Sequence, residues 1–138
     1  MTSTSTTANT PVPDSPGQSD EVIFAALESA FGDKLSATLN DYFAVSDELC
    51  EELQDAAACA HWLEAARLAS QIRIAAAELG FNTIAYAARV FADAAHTNAS
   101  AHGLRNSAQT VVFEYERMRL ALMARFPELV APGAYSIA

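Results

Sequence analysis

The stretch "RLASQIRIAAAELGF" runs from Arg67 to Phe81. Within it Ala69, Ile72, Ala76 and Leu79 recur at intervals of three and four, and Ala65 extends the series backwards. That spacing places all five on one side of a helix. Most are small, so a neighbouring helix can approach closely. Gly80 then fits the position just past a helix end, where a positive φ costs glycine little. The stretch therefore predicts a helix over about His61 to Leu79 with a sharp turn behind it.

Reading outward towards the C-terminus, Asn82 or Thr83 can cap a following helix. Ile84, Ala88, Phe91 and Ala95 give it one apolar side, and it is expected to end near His96. The connector "TNASAHG", Thr97 to Gly103, is small and polar, as a loop should be. A last helix is expected from about Leu104 to Phe126. Leu104, Ala108, Val111, Tyr115, Met118 and Leu122 keep the same rhythm, and Pro127 suits a stop.

Towards the N-terminus, Leu35, Leu39, Tyr42, Ser46, Leu49, Leu53 and Ala56 predict a helix from about Asp33 to Ala58. Asp47, Glu48, Glu51, Glu52 and Asp55 read as its solvated face. A short first helix starts at Asp20-Glu21, whose charges suit a helix N-terminus, and ends near Gly32. Four long helices on short connectors make antiparallel neighbours. The expected fold is all-α: an up-down-up-down four-helix bundle with a short N-terminal helix as a lid. The bundle is expected over residues 20–127. Residues 1–19, rich in Ser, Thr and Pro, are expected to be disordered, and 128–138 to be a loose tail.

The chain has 138 residues and a net charge of −9, which suits one domain with one core. So few cations argue against nucleic acid and against anionic membrane surfaces. No stretch is long and apolar enough to span a bilayer, and no targeting segment is visible, so a cytoplasmic location is expected. Cys50 and Cys59 read as free, partly buried thiols. No metal-ligand spacing, glycine-rich phosphate loop or catalytic triad emerges, so no metal, no cofactor and no independent enzymatic activity is expected.

The segment "AHWLEAARLASQIRIAAAELGFNTIAYAARVFADAA", Ala60 to Ala95, resembles a histidine phosphotransfer domain. Trp62, Leu63, Glu64 and Ala65 match that family's helix start. Ala69, Ile72, Ala76, Leu79 and Gly80 match its buried frame, and Ala87, Ala88, Phe91, Asp93, Ala94 and Ala95 its next helix. Helix order and lengths from Asp33 to Phe126 also fit. The family's motif is "AHxLKGxAxxLG". Counting back from Gly80 puts its phosphorylated His at Ser70, its Lys at Arg73 and its small Gly at Ile74.

The resemblance thus implies a degenerate member with no catalytic residue. A serine hydroxyl needs an activating base, and a phosphoserine ester is too stable for a relay. The face opposite the buried stripe carries Leu63, Arg67, Ser70, Ile74 and Ala77, with Arg73 at its edge. The resemblance implies that this face docks the receiver domain of a response regulator or hybrid kinase, or another signalling protein. The expected function is regulation of a phosphorelay without carrying phosphate, by a chain expected to be monomeric, with a dimer as the alternative. Two other readings stand beside it. One is an active phosphocarrier using His96 or His61; the other is a structural bundle without a relay role. His102 is placed in a loop.

Overall fold

A computed structural model describes residues 19–97 and 99–129. Every regular element among them is helical: α1 Asp20–Phe31, α2 Leu35–Ala58, α3 Trp62–Glu78, α4 Asn82–His96 and α5 Ala101–Arg125. Residues 1–18 and 130–138, expected to be tails, lie outside the described residues. Ser19, assigned to the tail by composition, is the N-cap of α1, and its Oγ accepts the Val22 N–H at 3.4 Å.

Helices α2 to α5 form a ring. Each packs on the next, and α5 closes back onto α2. Their stripes meet in the middle: Leu39, Leu53, Ala65, Ala69, Ala76, Ile84, Ala88, Phe91, Val111 and Leu122 are sealed from solvent. The alanines of α3 serve the expected purpose, letting α2 and α4 come close. Helix α1 lies on α2 and on the C-terminal part of α5. Ile23, Phe24 and Leu27 are buried there, and the Phe24 ring meets Phe126 edge-on at 5.8 Å. Asp20 and Glu28 hold α1 to α5 through Arg117 (3.4 Å) and Arg125 (3.0 Å).

Several boundaries differ from the sequence reading, each for a local reason. Gly32–Lys34 tightens into a 3-10 turn, so α2 starts at Leu35 rather than Asp33. Helix α4 has Phe81 as its N-cap, with no side-chain cap bond, so neither Asn82 nor Thr83 caps it. Helix α5 begins three residues before Leu104. Ser100 is its N-cap and accepts the Gly103 N–H at 3.1 Å, a start signal hidden in a stretch of loop-like composition. His102 is therefore helical, not in a loop. Phe126 and Leu129 are buried past the end of α5, and Glu128 Oε2 accepts from Ser36 Oγ at 3.3 Å. Packing thus runs beyond Pro127.

The two hairpin turns share one backbone design. After α2, His61 N–H reaches Ala56 O (2.9 Å) and Ala60 N–H reaches Ala57 O (3.1 Å). After α3, Phe81 N–H reaches Ala76 O (2.9 Å) and Gly80 N–H reaches Ala77 O (3.1 Å). Both are Schellman motifs, which satisfy carbonyls that a helix end leaves open. Gly80 has φ 83°, as its position requires. Ala60 takes φ 59° with a Cβ attached.

Candidate functional site

Helix α3 reaches its outer face because its inner face is so well fixed. With Ala65, Ala69, Ile72 and Ala76 sealed inside, the residues half a turn away must point to solvent. Leu63 is 74% exposed and Ile74 51%. Arg67 and Ala77 are exposed, and Ser70 and Arg73 are half-buried. Leu63, Arg67, Ile74 and Ala77 thus form the open side of α3, while Ser70 and Arg73 are less accessible and Ala66, next to Arg73 around the helix, is buried. Helix α1 packs elsewhere, so it does not cover them.

The two arginines are unlike. Arg67 is clamped by Glu64 through both carboxylate oxygens, with Nε to Oε1 at 3.0 Å. The hydrogen bond from Arg67 holds the Glu64 carboxyl below its usual range, and the same bond raises the guanidinium. Both groups are fully solvated, so this pair adds little to stability. Arg73 makes no ion pair among the described residues, which leaves it the available cation of this face.

Ser70 has no hydrogen-bonded base among the described residues, so nothing activates its hydroxyl for attack. The histidines stand apart from it. His61 precedes α3, His96 ends α4, and His102 opens α5 with its Nε2 3.3 Å from Asn106 Nδ2. In an antiparallel ring these three positions fall at the same end of the bundle, while Ser70 sits midway along α3. No group of His, Cys, Asp or Glu among the described residues is placed to hold a metal ion. No helix among them is long and apolar enough to cross a membrane.

One polar constellation escaped the sequence reading. Asp47, placed there in a solvated acidic face, is half-buried. Its Oδ1 accepts from the Tyr115 hydroxyl and from Arg119 Nη1, bridging α2 and α5. Arg119 also lies over the Tyr115 ring at 5.5 Å. Burial, and then the Asp47 carboxylate, push the Tyr115 hydroxyl far up, so it stays a donor. The signal was available: Tyr115 falls in the buried register, and a buried tyrosine hydroxyl needs a partner.

A groove of about 270 Å³ beside this network is lined by Cys50, Glu51, Gln54 and Glu116. Burial pushes the Cys50 thiol up to about 12, so it is no nucleophile at neutral pH. Cys59, expected to be partly buried, is exposed in the turn after α2. No family model matches the chain, and no curated protein or solved structure matches it.

Proposed function

We propose that the outer face of α3 docks a signalling partner without accepting phosphate, as a degenerate histidine phosphotransfer module. The receiver domain of a response regulator or hybrid kinase is the partner that the sequence resemblance implies. The reading rests on the uncovered line of Leu63 and Ile74 beside Ser70, with Arg73 as an uncompensated cation at its edge. Exposed apolar side chains with a polar rim suit a docking surface. A guanidinium suits the acidic pocket of a phosphate-accepting partner. The bare Ser70 hydroxyl supports binding over chemistry. The protein would compete with an active relay, or hold its partner in one state.

Phosphotransfer from radiolabelled phospho-receiver domains, run on the native chain and on Ser70→His side by side, tests this. The expected result is no label on the native chain and acid-labile label on Ser70→His. Arg73→Glu should also weaken receiver binding. Acid-labile label on the native chain would send the assignment to His61 or His96 instead. Label on neither, with no measurable binding, would leave the structural-bundle reading.

A further inference from the structure

A second surface lies round the corner from Ile74, between α2 and α3. Here a groove of about 260 Å³ is lined by Val45, Ala75 and Leu79, with Thr38 at one end. Asp41 stands on one wall and Glu78 on the other. The volume is below the ~300–1,000 Å³ of small-molecule sites, so it suits a side-chain anchor better than a metabolite. Val45 is 54% exposed, an apolar side chain on the solvent side of α2.

Charge decides what fits. Asp41 is one turn before Val45 on α2, and Glu78 is one turn after Ile74 on α3, both exposed. Neither forms an ion pair among the described residues. Arg67, near the other end of α3, is already held by Glu64. The rim is therefore negative around an apolar floor, on a chain of net charge −9. A second copy of the chain brings the same negative rim, and like charges facing each other oppose its entry.

We propose that this α2–α3 groove docks a partner's amphipathic helix, with apolar side chains seated between Asp41 and Glu78 and Lys or Arg flanking them. Such a helix lays its apolar side into the groove while its cations meet the two carboxylates. The acidic field also speeds encounter with a basic segment. This site is separate from the Arg73 edge of α3, and it stands whether or not a receiver domain docks there.

The test uses the full chain and two fluorescein-labelled helical peptides of about 16 residues. One carries leucines at i, i+4 and i+7 flanked by lysines; its twin has glutamates for the lysines. Fluorescence anisotropy should show binding of the lysine peptide only. Val45→Lys should weaken it by more than about tenfold, as expected for an anchor position. Asp41→Asn combined with Glu78→Gln should weaken it by about five- to tenfold. Arg73→Glu should leave it unchanged. All four positions are at least partly exposed, and circular dichroism checks that the variants stay helical.

Three results would overturn the proposal. Equal binding by native chain and variants would mean diffuse attraction to an acidic protein. Light scattering that shows a dimer lost in Val45→Lys would make a second copy the occupant. No binding of the lysine peptide to the native chain would mean that the groove does not take such a helix.

Discussion

The turns at Cys59–His61 and Leu79–Phe81 trace nearly the same backbone, yet different residues fill them. Each helix start that follows has a similar conformation too: His61 at φ −87°, ψ 75° and Phe81 at φ −82°, ψ 74°. In the second turn the left-handed position holds glycine, and the next side chain, Phe81, is sealed in the core against Tyr42 at 5.2 Å. In the first turn the left-handed position holds Ala60, and the next side chain, His61, is exposed. One turn is nailed to the core. The other is held by its main-chain bonds and by the helices on either side. Equal geometry therefore does not mean equal stabilisation.

The difference can be broken most forcefully at Phe81. Phe81→Ala removes a fully buried ring and should cost about 3–5 kcal/mol, read as a lower urea midpoint. His61→Ala, at the matching place, should stay within about 0.5 kcal/mol. Next comes Gly80→Ala. A Cβ there would meet nothing within 4 Å, so the cost is backbone strain alone. That strain is about 1–2 kcal/mol, reduced by the alanine's smaller loss of freedom on folding.

The reverse change sharpens the comparison. Ala60→Gly relieves the same strain at the first turn and should stabilise by about 0.5–1 kcal/mol net. If it instead destabilises, the Ala60 methyl has a packing role that its geometry does not reveal. The two thiols are told apart by access. A thiol reagent at pH 8 should label Cys59, in the exposed turn, and spare Cys50 until urea unfolds the chain.

Cys50 also sets a pH dependence. Its folded pKa, about 12, lies above its ordinary value near 9. The native state keeps a proton that the unfolded chain gives up, so this contribution is intact below pH 9 and is lost as pH rises towards 12. Urea midpoints taken across that range should fall.

Much of this was legible beforehand. The buried stripes of the four long helices are set by spacing, and Gly80 announced its turn. The first turn was also placed, between Ala58 and His61, but its left-handed residue was not, because alanine at such a position leaves no mark in composition. The early start of α5 was masked for a similar reason: Ser100 to Gly103 reads as loop until Ser100 is seen as a cap. The exposed line through Leu63 and Ile74 followed from helical geometry. The Arg67–Glu64 clamp, which leaves Arg73 as the available charge, depends on rotamers that periodicity does not fix. Asp47 shows the same limit, since its surroundings are decided by which helix faces it.

That last contact bears on how the chain folds. Asp47 and Tyr115 are 68 positions apart in sequence. Three of the helix pairs, α2–α3, α3–α4 and α4–α5, can assemble through short connectors, but α5 reaches α2 only when the ring closes. Closing so long a loop is entropically costly, and its reward arrives late. The bridge from Asp47 to Tyr115 and Arg119 should therefore be largely absent from the transition state. Asp47→Asn would then speed unfolding and leave the refolding rate nearly unchanged, as the two arms of a chevron plot would show. On this view the acidic residue that looked like ordinary surface charge acts as a latch on the native state, setting how long the closed ring lasts.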